Sequence, residues 1–344
     1  MKKITALLLA TVLVCAALTS CGAKTPYNYD LTKYMTVADY KTVELDKSKV
    51  ADDIQAEIDS VLNRYSEEKE RDGASQEGDV ITYNVNASVD GEANEDLTAD
   101  GATYTVGTTK TDFEEVNTVL SSGLKKDDVR DVTVTVPEDY SKEELRGKTV
   151  EFTIKVVGIK YTYTPEELSD AMVSESTGER YTTVADFKAY LETTVPQGLA
   201  FEAVMENTKY TSYPEKEAEK YYDSYVMNYQ NTATQYGMTL EQLASMYGGA
   251  SVFYKSLADQ AVNAVNREML IYYIYRTENL KVTEEIEADV IADLLASYEY
   301  ETEKELRKAI PAEAIEASCV YEAVLAYLGG NIKYVEAPET EAAE

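Results

Sequence analysis

The sequence predicts an α+β protein whose strands and helices are segregated along the chain. Between residues 79 and 160 apolar side chains alternate with polar ones, as at Val132, Val134 and Val136, which is the period of half-buried antiparallel strands. After Pro165 the alternation gives way to helical spacing. With 344 residues, 44% hydrophobic and 28% charged, the chain is long enough for more than one domain. The segregation favours separate domains over a doubly wound sheet.

The strand candidates share an alternation of apolar and polar residues. They lie at 40–45, 81–87, 132–136, 150–156 and 332–335. A charged, glycine-containing stretch at 67–78 ends the helix predicted at about 49–66. One short helix among the strands starts at a capping-box pair, Asp112 and Glu115, and Gly123 stops it.

The helix candidates share apolar residues three and four positions apart, with proline or glycine between several of them. They lie at about 49–66, 165–172, 183–194, 214–236, 240–247, 251–278, 284–298, 303–309 and 312–328. Two of them begin at further capping boxes, Thr239 with Gln242 and Thr302 with Glu305.

The composition excludes several classes of function. The chain has no histidine, which removes the most common general base and transition-metal ligand and argues against Ser-His-Asp triads and histidine-based zinc sites. A formal net charge of −31 repels phosphate backbones, so we expect no nucleic-acid partner. No cofactor or metal site is predicted, because the acidic segment 90–96 lacks EF-hand spacing and fits a Val-Asp-Gly hairpin turn better than a calcium loop.

The N-terminus has the features of an export signal. Lys2 and Lys3 precede an apolar run from Ile4 to Leu18, which is short for a membrane span. The ending Leu18-Thr19-Ser20-Cys21 resembles the bacterial lipobox, in which the peptidase cuts before the cysteine and the thiol carries a diacylglycerol anchor. The alternative is a plain secretory signal with an incidental cysteine. Lipidation at Cys21 would tether the protein to the cell membrane on its extracytoplasmic side, and losing Lys2 and Lys3 changes the net charge from −31 to −33.

Cysteine and tyrosine usage add two expectations. After cleavage Cys319 is the only cysteine besides Cys21, and its helical spacing predicts a small buried side chain rather than a nucleophile. Many of the 29 tyrosines lie between residues 210 and 275. The client-binding candidates among them are Tyr222, Tyr225, Tyr229, Tyr236, Tyr247 and Tyr254, the first four of which share one helix face. That face either holds other polypeptides or packs against a neighbouring helix.

Short motifs in collinear order resemble trigger factor over about residues 37–336. In the first half they are Val37-Ala38-Asp39-Tyr40-Lys41, Gly78-Asp79-Val80, Ser88-Val89-Asp90-Gly91, Asp112-Phe113-Glu114-Glu115, Val136-Pro137-Glu138-Asp139-Tyr140 and Leu145-Arg146-Gly147-Lys148. In the second half they are Gly237-Met238-Thr239-Leu240-Glu241-Gln242 and Asn331-Ile332-Lys333-Tyr334-Val335-Glu336. The resemblance implies a small FKBP-like antiparallel sheet wrapped on one helix, followed by an all-α arm domain like the trigger factor C-terminus.

Two features depart from the family pattern. Residues 22–36 are too few for the family's ribosome-docking domain, and no Gly-Phe-Arg-type signature occurs, so we expect no ribosome partner. In the implied prolyl-isomerase pocket, Val85, Asn94 and Lys110 stand where the family has apolar or aromatic groups. The pocket candidates are Tyr83, Val85, Tyr104, Phe113, Tyr140 and Phe152. Phe113 and Phe152 also fit a second role, as packing between helix and sheet.

The predicted organisation is a signal peptide at 1–20, a linker at 21–39, a strand and connecting helix at 40–74, an FKBP-type domain at 75–162, a helical chaperone domain at 163–336 and an acidic tail at 337–344. The function this predicts is a membrane-anchored extracytoplasmic folding factor for unfolded or nascent secreted polypeptides, with weak or absent peptidyl-prolyl isomerase activity. Its only contact with the membrane would be the lipid anchor. The alternatives are a solute-binding lipoprotein, against which the lack of βαβ alternation argues, and a surface adhesin without catalysis.

Overall fold

The computed structural model describes residues 27–336, and within them the chain divides into two compact units. A helical unit combines residues 27–61 with residues 168–336, and a sheet unit comprises residues 62–167. Helix α1 (Lys47–Arg64) begins in the first stretch of the helical unit. Across this described part, every helix is too short or too polar to cross a bilayer. The α+β class predicted from the sequence is confirmed.

The sheet unit is one curled antiparallel sheet. Its strands are β3 (Glu67–Glu70), β4 (Val80–Val89), β5 (Glu92–Ala93), β6 (Ala99–Thr105), β7 (Val129–Thr135) and β8 (Thr149–Tyr163). The long strand β8 pairs with β3, β4 and β7, while β4 also pairs with β5 and β6. Every second residue of β8 from Val150 to Val156 is buried, as its alternation predicts. Helix α2 (Glu114–Leu120) adds Val116 and Leu120 to the same core.

The turn between β4 and β5 confirms the hairpin predicted at Val89-Asp90-Gly91. Val89 pairs with Glu92, so Asp90 and Gly91 form a two-residue loop. Both have positive φ, 52° and 85°, which is the requirement of a type I′ turn. Asp and Gly meet that requirement at the lowest steric cost.

The helical unit contains the remaining elements. Its short strands are β1 (Met35–Thr36), β2 (Val43–Asp46), β9 (Lys209–Tyr210) and β10 (Ile332–Val335). Its helices after the sheet unit are α3 (Asp170–Ser176), α4 (Val184–Asn207), α5 (Glu215–Gln235), α6 (Leu240–Met246), α7 (Ala250–Thr277), α8 (Glu284–Tyr298), α9 (Glu303–Ala309) and α10 (Ala312–Gly329). Helices α4, α7 and α10 supply most of the large core.

The two stretches of the helical unit are joined by strand pairing and by one carboxylate. Strand β10 pairs in parallel with β2, from Ile332 opposite Val43 to Val335 opposite Asp46. Beside this pair, the Glu278 carboxylate accepts hydrogen bonds from the hydroxyls of Tyr40 at 2.7 Å and Tyr327 at 3.0 Å. These bonds, with Lys41 at 3.1 Å, lower the pKa of Glu278. The early chain is thereby fixed to α7 and α10.

Several element boundaries predicted from the sequence are wrong. The helix predicted at 165–172 begins at Asp170, where Ser169 caps it by accepting a hydrogen bond from the Met172 amide. The helix predicted to end at 194 continues through Pro196 to Asn207. Phe187, Leu191, Phe201 and Val204 are buried on both sides of the proline, and this packing outweighs the lost backbone hydrogen bond.

Two local predictions in the sheet unit also need correction. The helix after Asp112 begins at Glu114, so Asp112 is not its N-cap. Asn117 instead holds the preceding loop by accepting a hydrogen bond from the Thr111 amide at 2.7 Å. The charged stretch after α1 is not all loop, since Glu67–Glu70 pairs with the end of β8 as strand β3. Side-chain charge there is compatible with a strand because the strand lies at the edge of the sheet.

Part of the segment predicted as a linker is packed. Tyr27, Leu31 and Met35 are buried in the core of the helical unit, and Met35–Thr36 pairs with Lys209–Tyr210. Tyrosines in a polar segment gave no helical or strand period, so sequence periodicity did not reveal this packing.

Cys319 is buried on α10, as predicted, and is 2% exposed. Its removal from water raises the pKa of the thiol to about 11. The thiol is therefore protonated and unreactive at neutral pH.

Glu322 on α10 predicts a pH dependence of stability. Burial raises the pKa of Glu322 to about 7, and the nearby carboxylates of Asp293 and Asp289 add to the shift. The folded state then binds this proton more tightly than the unfolded state, so the free energy of unfolding falls as the pH rises from 4.5 through about 7. We expect Glu322→Gln to be more stable than the parent by about 2–3 kcal/mol at pH 8, with the difference vanishing at pH 4.

Chemical denaturation across this pH range measures the effect. Glu316→Gln is the matched control, because Glu316 is exposed on the same helix. A parent and Glu322→Gln variant that differ equally at pH 4 and pH 8 would contradict the assignment.

Candidate functional site

The pocket candidates in the sheet unit meet in its core. Tyr83, Tyr104, Phe113 and Phe152 are buried, while Val85 and Tyr140 are partly exposed and pack against them. The Phe113 ring lies 5.4 Å from the rings of both Tyr140 and Phe152, measured between centroids. The Tyr140 hydroxyl donates a hydrogen bond to Asp112 at 2.9 Å. Burial and this bond raise the pKa of Tyr140, so the hydroxyl stays protonated.

Tyr104 has a structural role beneath this cluster. It is 3% exposed, and its hydroxyl lies 3.0 Å from that of Ser121 just after α2. The role predicted for Phe113 and Phe152 as helix-on-sheet packing is therefore present, and their use as substrate contacts stays a prediction. Asn94 accepts a hydrogen bond from the Leu97 amide, and Lys110 is exposed. Neither Asn94 nor Lys110 extends the apolar surface of the cluster.

The tyrosine face of α5 is half-buried rather than free. Tyr222, Tyr225 and Tyr229 pack against a small core formed by α5, α6 and α7. The Tyr229 ring meets Phe253 edge-on at 5.1 Å, and Tyr254 packs at the same cluster. Tyr236 lies beyond this face, because α5 ends at Gln235 and Tyr236 is its C-cap, in the turn that follows the helix. These three residues of α5 therefore stabilise the helix packing.

Exposed apolar side chains are concentrated where α5 ends, α6 spans and α7 begins. We call this group the tip surface; it consists of Met227, Tyr236, Met246, Tyr247 and Val252. Tyr236 and Met246 are each 72% exposed, and several large apolar side chains exposed along one short stretch of chain are the informative exception to burial. The Gly248-Gly249 turn, with φ of 87° and 96°, presents Tyr247 between α6 and α7.

The tip surface is also depleted of charge. Between Ser224 and Tyr254 the only charged side chain is Glu241, although 28% of the whole chain is charged. In a chain with a net charge of −31, this leaves one neutral, aromatic and methionine-rich region. The sequence places Met227 and Met246 near the tyrosines as adaptable contacts, but tyrosine periodicity does not reveal Val252; the gap in charge is visible in the sequence.

Two other predicted sites have simple outcomes. Cys21 lies outside the described residues, so its lipidation stays a prediction. Among residues 27–336 the structure brings together no group of three or more cysteine, aspartate or glutamate side chains suited to a metal ion.

Comparison with known proteins shows what part of the helical unit is similar to. Residues 183–329 match the family described as bacterial trigger factor protein (TF) C-terminus. This range runs from the start of α4 to the end of α10 and includes the tip surface.

Whole-chain relatives give the same likeness. The chain is 27% identical over 299 residues to the trigger factor of Caldicellulosiruptor saccharolyticus, covering 81% of this chain and 66% of that protein. It is 29% identical over 266 residues to the trigger factor of Staphylococcus saprophyticus, covering 72% of this chain and 60% of that protein. The chain thus spans about two thirds or less of the length of these relatives. The resemblance to trigger factor is confirmed: the protein is trigger factor-like.

A solved structure is also similar. It is described as showing promiscuous substrate recognition in folding and assembly activities of the trigger factor chaperone. The match is 18% identical and covers 86% of this chain and 72% of that chain, with a TM-score of 0.33. At that score the two backbones superpose poorly as whole chains.

Proposed function

We propose that this protein is a membrane-anchored folding factor that acts outside the cytoplasmic membrane and holds unfolded secreted polypeptides through its helical unit. The observation that carries the proposal is the tip surface, an exposed apolar region in the part of the chain that matches the trigger factor C-terminus. An exposed apolar patch of this kind in a soluble unit is typical of an interaction site.

The chemistry of the tip surface fits unfolded chains better than one defined ligand. Tyr236 and Tyr247 offer broad rings with a polar rim, and Met227 and Met246 adapt to irregular partners. Because Glu241 is the only charged residue between Ser224 and Tyr254, the surface does not select strongly between acidic and basic polypeptides. The strongly acidic remainder of the chain keeps the complex soluble while such a surface is exposed.

Changing Tyr236, Met246 and Tyr247 to serine together should reduce suppression of aggregation of an unfolded test protein. The thermal midpoint should stay nearly unchanged, because all three side chains are more than half exposed. Light scattering of the test protein and differential scanning calorimetry of the variant measure the two effects.

Two matched variants separate binding from folding. Tyr298→Ser with Tyr334→Ser removes two other exposed tyrosines, 43% and 46% exposed, and should leave the suppression intact. Changing Tyr222, Tyr225 and Tyr229 to serine should lower the midpoint, at about 1–2 kcal/mol for each half-buried ring. Full activity in the tip variant would contradict the proposed client surface.

We propose that isomerase activity of the sheet unit is weak or absent. Rotation about an X-Pro bond is slow, and an FKBP-type pocket accelerates it by offering a dry aromatic cleft that needs neither acid nor base. Here Phe113, Tyr140 and Phe152 pack on one another, while Val85 and Asn94 stand where aromatic groups would enlarge the wall.

Turnover of a short X-Pro peptide by the chain from residue 22 should be close to the uncatalysed rate. Val85→Phe together with Asn94→Phe should raise it, because the resemblance puts aromatic pocket groups at these two positions; an unchanged rate would contradict the pocket assignment. Isomerase activity of the unchanged protein that equals that of an intact FKBP-type domain would contradict this proposal.

Anchoring is proposed on the sequence at Cys21. Cys21→Ser should abolish incorporation of labelled lipid and leave the chain as an unprocessed precursor or as released protein, because only that cysteine follows the small-residue cleavage site. Metabolic lipid labelling and membrane fractionation measure the result. Unchanged labelling and membrane association in Cys21→Ser would refute lipidation at this position.

A further inference from the structure

The first described residues form a strap, residues 27–36, that is fixed to the C-terminal half of α7. The Tyr27 ring is 5% exposed and lies 5.6 Å from the Tyr272 ring. Its hydroxyl donates a buried hydrogen bond to Glu268 at 2.6 Å. The guanidinium of Arg276 donates a hydrogen bond to the backbone carbonyl of Tyr27. One aromatic side chain and one carbonyl thus hold the start of the strap against α7.

The other end of the strap is fixed as well. Met35 and Thr36 pair with Tyr210 and Lys209, and the Thr211 amide donates a hydrogen bond to the Tyr34 carbonyl at 2.8 Å. Leu31 and Met35 are buried in the core of the helical unit. Because both ends are held, the strap is part of the helical unit and does not act as a free tether.

Cys21 is six residues before Tyr27 in the sequence. Six residues span at most about 20 Å, whatever their conformation, because an extended chain advances 3.3–3.6 Å per residue. A lipid on Cys21 would therefore keep the bilayer surface close to the place where Tyr27 docks on α7.

The surface at this place has a composition that suits lipid headgroups. Its exposed aromatic members are Tyr29 and Tyr213, 43% and 39% exposed. The ring of the partly exposed Tyr34 has its centroid 6.0 Å from that of Tyr29, and the Tyr34 carbonyl accepts a hydrogen bond from the amide of Thr211, two residues before Tyr213. Residues 27–34 and 209–213 carry one acidic side chain, Asp30, and two basic ones, Lys33 and Lys209. Two further acidic side chains, Glu217 and Glu268, and the basic Arg276 also act on Tyr29. The place is therefore close to neutral, whereas the chain from Cys21 onward carries a net charge of −33. Tyrosine is enriched at membrane–water interfaces, and a lysine side chain can extend its ammonium group into the headgroup layer.

We propose that this strap surface, formed by Tyr29, Lys33, Tyr34, Lys209 and Tyr213, lies in the headgroup layer of the bilayer that anchors the protein. The proposal rests on the anchoring proposed for Cys21, and it replaces the expectation that the lipid anchor is the only contact with the membrane. It also separates two tasks within the helical unit, since Tyr272 at the docking site is 20 residues from Val252 of the tip surface. That separation is about 30 Å along α7 at 1.5 Å per residue.

Tryptophan probes test the proposal, because the chain contains no tryptophan. The chain beginning at Cys21, with Cys319→Ser, is joined through the Cys21 thiol to phosphatidylcholine vesicles that carry a maleimide-headgroup lipid. Single variants Tyr29→Trp, Tyr213→Trp and Tyr236→Trp then report on the strap surface and the tip surface. For Tyr29→Trp and Tyr213→Trp we expect the tryptophan emission to shift to shorter wavelength and to be quenched by lipid that carries bromine in its headgroup. For Tyr236→Trp we expect neither change.

The controls make each outcome decisive. Tyr213→Trp is the critical probe, because residue 213 lies on the body of the helical unit and not on the strap. An unquenched Tyr213→Trp, or equal quenching of Tyr236→Trp, would overturn the proposal. The same changes in uncoupled protein at rising concentration would show that a second copy covers the surface, which also overturns it. Thermal midpoints confirm that each variant is folded.

Failure of anchoring in cells is distinguishable from failure of this proposal. The vesicle attachment is chemical and does not depend on the lipidating enzymes. Lipid labelling of Cys21→Ser against the unchanged chain tests the anchor, and the tryptophan probes test the orientation.

Discussion

The helical unit is assembled from two stretches of chain with the whole sheet unit between them, and the pairing of β2 with β10 joins these stretches. Closing so long a loop costs entropy that the contacts at the junction must offset. The parallel strand pair offsets part of this cost. The Glu278 carboxylate, which accepts hydrogen bonds from the hydroxyls of Tyr40 and Tyr327, and the hydrogen bond from Tyr27 to Glu268 offset more of it. Without these contacts α7 and α10 would lose the partner segment that covers one side of their core.

The charge of the chain constrains where it can interact. With twice as many acidic as basic side chains, most of its surface repels anionic partners. The tip surface and the strap surface both depart from this pattern, the first by having almost no charge and the second by having acidic and basic side chains in balance. They lie at opposite ends of α7. A long, well-packed helix is a stiff spacer, so one unit presents two different surfaces at a fixed separation.

The sheet unit illustrates how packing and binding compete for the same aromatic side chains. Phe113 and Phe152 contribute to the core beneath α2, and Tyr140 closes over them with its hydroxyl on Asp112. A binding cleft needs aromatic surface that the protein's own side chains do not cover. Here the Phe113 ring packs against the rings of Tyr140 and Phe152 at centroid distances of 5.4 Å. This packing stabilises the domain and leaves less apolar surface for a substrate.

The sequence by itself determined the segregation of strands from helices, the Asp90-Gly91 hairpin and most helix starts, because period and capping chemistry are local properties. It also carried the resemblance to trigger factor. Tertiary structure decided what local signals could not. Packing on both sides of Pro196 kept α4 helical, and pairing with β8 made a strand of the charged residues Glu67–Glu70. Contact with the core around Phe253 turned Tyr222, Tyr225 and Tyr229 into packing residues and left Tyr236 and Tyr247 exposed. A tyrosine has the same sequence signal in a core and on a binding surface, and only the presence of a neighbour across space distinguishes the two.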